Sequence, residues 1–231
     1  MTTSIQPRVL LAEFVGTTLL VFVAVMTTSM AQVGFGGVAA GDLLIPAFGH
    51  ACILAGLVYA IGHVSGCHIN PAVTLSLAAI GKLPLQQVPP YVVAQIAGGL
   101  FGALLHAWTW PMGPGTAMTL PAAEVSAGQA FLLEAVMTFV LVSVVIEVAV
   151  SGKAPAAAAG AALGATLGAL VLVGGPITGA SMNPARSLGP AIVNWNFEAH
   201  WIYWLGPIAG GLAAGVVGVL THNLRRGADD G

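Results

Sequence analysis

The chain has 231 residues, of which 57% are hydrophobic and only 6% charged, with a formal net charge of −2. A water-soluble domain carries about 25% charged residues, so there are too few charges here to cover a wetted surface. A mean hydropathy of +0.93 on such a surface would drive aggregation, and the chain is assigned to lipid.

A spanning helix needs about 20 mostly apolar residues. Six stretches qualify: Val9 to Met30, Leu43 to Val64, Val88 to Trp110, Ala127 to Val150, Ala156 to Val173 and His200 to His222. Only Arg8 precedes the first run, and that run exceeds a signal core of about 7–15 residues, so no cleaved leader is expected. The fifth is rich in Ala and Gly, which favours close helix packing. Gly34 to Asp42 and Pro111 to Ser126 read as connections.

Two further connections stay hydrophobic and carry the same tripeptide, Asn70-Pro71-Ala72 and Asn183-Pro184-Ala185. Asn at an N-cap followed by Pro at the first helical position is a favoured helix start. The helices they open end at Gly81 and near Asn194, about 10 residues on, enough for half a bilayer and too short to cross it. Both are read as re-entrant half-helices.

Arg8, Lys82, Lys153, Arg225 and Arg226 all fall on one side of a six-span chain, which the positive-inside rule makes cytoplasmic. Both termini belong to that side. The opposite connections carry Asp42, Glu124 and Glu198, and one basic residue, Arg186.

The repeat extends beyond the tripeptide. Ala12-Glu13-Phe14 aligns with Leu133-Glu134-Ala135, and Ala94-Gln95-Ile96-Ala97-Gly98-Gly99 with Gly206-Pro207-Ile208-Ala209-Gly210-Gly211. Three spans per half is an odd number, so the second half is inserted upside down. The expected fold is all-α: six transmembrane helices and two re-entrant half-helices in an inverted 3+3 repeat, about 8–110 and 127–226, forming one domain over 1–231. The half-helix N-termini then meet near the midplane, each with about half a positive charge and free N–H groups. Each Asn carbonyl suits the cap and each NH2 group the lumen. Such a junction binds a passing neutral oxygen atom and repels cations.

These residues resemble the aquaporin (major intrinsic protein) family. The resemblance covers both Asn-Pro-Ala motifs, Ala12-Glu13-Phe14, Ser65-Gly66, Arg186-Ser187 and the paired glycines of spans three and six. It implies a passive channel for water and small neutral solutes, a pore in each protomer, and a homotetramer in the inner (cell) membrane. It also implies no enzyme activity, no cofactor, no metal and no nucleic-acid partner. No metal-ligand spacing or cofactor motif is present in the sequence.

The resemblance places a selectivity filter by counting. Twenty residues before Asn70 is His50, 12 before Asn183 is Val171, and three before it is Ala180; Arg186 completes the set. This His–aliphatic–small–Arg combination is similar to plant vacuolar-type members, which pass ammonia or urea beside water. Phe48 stands two residues from His50, about 200° round a helix, so only one of them faces the pore. Ser187, where glycerol facilitators place Asp, points away from glycerol.

Several candidates keep two readings. Arg186 either lines the constriction or pins its loop in an ion pair. Glu13 and Glu134 either brace the re-entrant loops by accepting N–H groups or relay protons. His68 either offers a donor to the pore or braces its loop. Cys67, placed like Ala180 three residues before its Asn, is either lumenal or a buried inert thiol. Cys52 reads as a small buried residue. His63 and His106 read as packing or interface residues, and the five Trp mostly as interfacial anchors. The alternative functions are a non-conducting structural or junctional protein on the same fold and a broader urea or glycerol facilitator.

Overall fold

A computed structural model describes residues 6–112, 115, 117–152 and 155–222. Lys153, Arg225 and Arg226, used above for orientation, lie outside the described residues. Among the described residues eight α-helices follow in order: α1 Pro7–Val33, α2 Leu44–Ser65, α3 Pro71–Ala79, α4 Val88–Thr109, α5 Ala127–Val145, α6 Ala159–Thr178, α7 Pro184–Val193 and α8 Ile202–His222. Among the described residues there is no strand. All but α3 and α7 are long and apolar enough to cross a membrane, counting the π-helical turn Ile146–Val150 that extends α5.

Residues 9 and 10 in number make α3 and α7 about 14 and 15 Å long, half of a hydrocarbon core of about 30 Å. The fifth span differs from its expected bounds. It starts at Ala159 and runs to Thr178, through Pro176, until Gly179 takes the left-handed conformation (φ 80°) and closes it. A backbone with φ > 0 is where glycine costs least. Gly66 ends α2 in the same way (φ 83°).

The repeats interlock. Helix α1 packs on α4, and α5 on α8, in matching pairs, while α2 and α6 pair with each other. Each half-helix docks on the opposite repeat: α3 on α8 and α7 on α4. Small residues make these approaches. Gly160, Gly164 and Gly168 form a stripe at four-residue spacing on α6; a Cβ at Gly164 would stand 2.5 Å from the Ala51 carbonyl oxygen and 2.9 Å from the Ala55 Cβ. Lipid tails are as apolar as the helix faces, so close contact between backbones is what holds such helices together. A Cβ on Gly99 would collide with the Ala185 carbonyl oxygen at the start of α7, and one on Gly211 with the Ser76 hydroxyl on α3.

Two expectations are corrected. Cys52 is exposed, on the outer face of α2, because the α2–α6 seam takes Ala47, Ala51 and Ala55 instead. Trp110 is buried at 4%, packed edge-on to Phe35 and stacked on His106, while Trp108, Trp195 and Trp201 are exposed. His106 is itself buried and shares a 2.9 Å hydrogen bond with Ser29.

Gly99→Val is expected to keep α7 from seating on α4. Size-exclusion profiles in detergent should show aggregated protein where the wild type is monodisperse.

Candidate functional site

The two Asn-Pro-Ala segments meet as a cross-brace. Asn70 Oδ1 caps α3 by accepting from the Ala72 N–H (2.9 Å), and Asn183 Oδ1 caps α7 by accepting from Ala185 (3.0 Å) and Arg186 (3.3 Å). Each amide nitrogen then crosses to the other repeat. Asn70 Nδ2 donates to the Met182 carbonyl and Asn183 Nδ2 to the Ile69 carbonyl, both at 2.8 Å. An amide NH2 has two donors, so one is used in the brace and the other is left for the lumen.

The backbone before each Asn is strained in the same pattern. Cys67 and Ile69 have φ of 51° and 41°; Ala180 and Met182 have 47° and 53°. Non-glycine residues there cost about 1–3 kcal/mol each and persist only where the surroundings impose them. Buried carboxylates impose them. Glu13 Oε1 accepts from the Ser65 hydroxyl (2.6 Å) and the His68 N–H (2.9 Å), and Oε2 from the Ile69 N–H (2.6 Å) and Gln95 Nε2 (2.7 Å). Glu134 Oε1 accepts from the Thr178 hydroxyl (2.7 Å) and the Ser181 N–H (2.9 Å), and Oε2 from the Met182 N–H (2.8 Å). Both acids are fully buried. Such charge-assisted bonds are short and about twice as strong as neutral ones. Tyr91 and Tyr203 add matching bonds to the Ser65 and Thr178 carbonyls, each 2.8 Å.

A cavity of about 360 Å³ runs past this junction, lined near one end by His50 and Arg186 and near the other by Lys82 and Val150. One side of its wall is apolar, including Leu20, Leu54, Leu141 and Leu167; the other is the two re-entrant segments, 66–70 and 181–183. Cys67 and His68 are both in this wall. His68 Nδ1 lies 3.2 Å from the Thr74 hydroxyl, and its ring packs against Tyr91.

Of the counted filter positions, His50 and Arg186 line the cavity together. Phe48 is 71% exposed and points away from it, while His50 is 4% exposed. The Pro46 carbonyl, 2.7 Å from His50 Nδ1, can only accept, so Nδ1 carries the hydrogen. Nε2 of the neutral ring then presents a lone pair, and it has no partner among the described residues. Arg186 Nη1 donates to the Ala117 carbonyl (3.2 Å), and its Nε has no partner among the described residues. No described carboxylate forms an ion pair with Arg186. Val171 and Ala180 are buried in the hydrophobic cluster with Met137 and Leu170 and are not part of the cavity wall.

The residues that brace this site were only partly visible beforehand. Ser65 and Thr178 occupy the small polar position ahead of each motif, so the repeat marks them. Gln32, Ala117 and Thr119 carry no such signal, because they come from α1 and from a connection without a counterpart in the other half.

Six spans, two half-helices entering from opposite faces and a lined cavity where they meet define a membrane channel of the inverted-repeat class. The sequence matches the family described as Major intrinsic protein over residues 1–218, and the chain belongs to that family, passive channels for water and small solutes. Its relatives include aquaporin TIP4-4 of Zea mays, 43% identical over 214 residues that cover 91% of this chain and 84% of that protein. Probable aquaporin NIP7-1 of Arabidopsis thaliana is 36% identical, covering 93% and 75%, and aquaporin-8 of Mus musculus 34%, covering 92% and 80%. Among solved structures, the aquaglyceroporin from Plasmodium falciparum superposes with a TM-score of 0.79 over 94% of this chain and 98% of that one. At 23% identity that likeness is one of fold.

Glu134→Gln puts an NH2 group against an N–H donor and removes an acceptor from Ser181 or Met182. The expected cost is about 1–3 kcal/mol, read as a lower thermal-unfolding midpoint in detergent. An unchanged midpoint would show that the charge is dispensable.

Proposed function

We propose that this protein conducts water and, beside it, ammonia or another small neutral solute, and excludes ions and protons. The observation that carries the reading is the pair of Asn70 and Asn183 amides at the centre of a cavity bounded by His50 and Arg186. A water molecule passing the junction trades its water neighbours for the free amide donors. The apolar wall opposite offers no competing partner, so the file stays single and weakly held. Two half-helix N-termini aimed at one point raise the energy of a cation or excess proton there.

We read His50, Val171, Ala180 and Arg186 as the filter, His50 and Arg186 facing the cavity and Val171 and Ala180 setting its width from the packed layer behind, Glu13 and Glu134 as braces, and His68 and Cys67 as lumenal residues. At the constriction His50 offers an acceptor and Arg186 donors, so a small molecule with both functions is matched and a cation meets the guanidinium charge. We further read residues 1–231 as one channel domain that assembles as a homotetramer in the inner membrane with both termini cytoplasmic. Arg8 and Lys82 support that orientation, as both lie at helix ends on the same side.

Stopped-flow light scattering on proteoliposomes is expected to give water flux well above the lipid background, and flux equal to background refutes the reading. Methylammonium uptake above background is expected as well. Arg186→Val should keep water flux and raise urea flux, because it removes the guanidinium from the constriction. Mercuric ion should reduce water flux, and Cys67→Ser should abolish that sensitivity; Cys52 faces outward and leaves it unchanged.

A further inference from the structure

Arg186 ends in a long flexible side chain, yet its proposed role at the constriction needs a fixed guanidinium. Among the described residues its one side-chain hydrogen bond is to the Ala117 carbonyl. Ala117 lies in the connection between α4 and α5, where residues 117–122 form a strap over the outer end of the pore. The strap is tied at several points. Its Ala122 N–H donates to the Ile177 carbonyl (2.9 Å), and Thr119 donates its hydroxyl hydrogen to Ser187 Oγ (2.7 Å) beside Arg186. Ser187 in turn lies 2.5 Å from the Ser181 hydroxyl, which donates to the Asn183 carbonyl.

Ala117 itself is buried at 1% and holds a left-handed φ of 57°. An alanine stays there only if its backbone is held. Its N–H donates to Gln32 Oε1 at 2.7 Å, from the last turn of α1. The N–H and carbonyl of one residue are therefore both engaged, Gln32 on one side and Arg186 on the other. Helix α1 is 27 residues long and carries Gln32 in its last turn, so the Gln32 carbonyl oxygen ties to regular helix a strap that has no regular structure of its own.

The geometry points to Gln32 as a positioning residue for Arg186, acting through the backbone of Ala117, and so as a determinant of which neutral solutes pass. This rests on the reading of Arg186 as a filter residue. With Gln32 in place the guanidinium stays across the constriction from His50. Without its acceptor, the Ala117 peptide relaxes out of its left-handed conformation, the carbonyl turns, and Arg186 spends time away from the constriction. Water passes in either state; a wider neutral solute gains. Gln32 is exposed outside this contact, so replacing it removes the tether without opening the core.

The test measures water and urea permeability of proteoliposomes carrying wild type, Gln32→Met, Gln32→Glu, Arg186→Val and the Gln32→Met/Arg186→Val double variant. Gln32→Met keeps the length of the side chain and removes the oxygen. It should raise the urea-to-water permeability ratio about 2- to 10-fold, the range one neutral hydrogen bond is worth. Gln32→Glu keeps an acceptor oxygen and should retain the wild-type ratio. In the Arg186→Val background, Gln32→Met should change the ratio no further, since the group it positions is gone. Thr119→Val cuts the second tie of the strap and should shift the ratio the same way, which supplies the answer if Gln32→Met accumulates poorly. An unchanged ratio in Gln32→Met with water flux intact overturns the inference, as does an additive effect in the double variant. Absence of water flux in the wild type instead overturns the channel reading.

Discussion

The constraint behind this structure is the cost of unpaired backbone at the centre of a membrane. A helix satisfies its own N–H groups except at its ends, and lipid offers no partner for those that remain. This chain puts two helix N-termini and two stretches of non-helical backbone at that depth. Glu13 and Glu134 are the answer to the resulting donors: four acceptor oxygens on rigid helices, holding His68, Ile69, Ser181 and Met182 in place. With the loops pinned, the left-handed residues keep their conformation and the two Asn amides reach across the midplane. Everything else about the pore depends on that arrangement.

The two halves solve the same problem with different parts. Gln95 donates to Glu13 and to the Thr74 hydroxyl. Its counterpart in the repeat is Pro207, which has no donor, so Glu134 works with three bonds where Glu13 has four. Ser187 takes the place of Thr74 and turns outward to Ser181 and Thr119. One half thus closes its network on its own helices, and the other shares it with the strap of residues 117–122. A duplicated element has in this way come to differ between its two copies.

The polar stripe and the apolar wall are inseparable. The stripe exists because residues 66–70 and 181–183 cannot be helical, and the wall because α1, α2, α5 and α6 bury leucines against one another. A neutral molecule that hydrogen-bonds on one side and slides on the other is held weakly enough to leave. Cys67 and His68 belong to the re-entrant side of that lining.

Span number, the inverted repeat, the half-helices and the Asn caps were legible in the sequence, because each depends on local rules: apolar length, the Asn-Pro start, and the parity of three spans. The bracing acids were legible too, since an unpaired carboxylate in lipid demands donors and the repeat named two of them. Counting from the motifs reached His50 and Arg186, but it could not choose between His50 and Phe48, which differ by a rotation that only the packing of α2 on α6 sets. The same packing turned Cys52 outward, and the α1–α4 junction drew Trp110 inward. What only the tertiary structure decided is the end of the pore at Arg186. Gln32, Ala117 and Thr119 meet Arg186 and Ser187 across more than 60 residues of chain. No periodicity or motif encodes such a meeting, because a connection without regular structure takes its shape from what it touches.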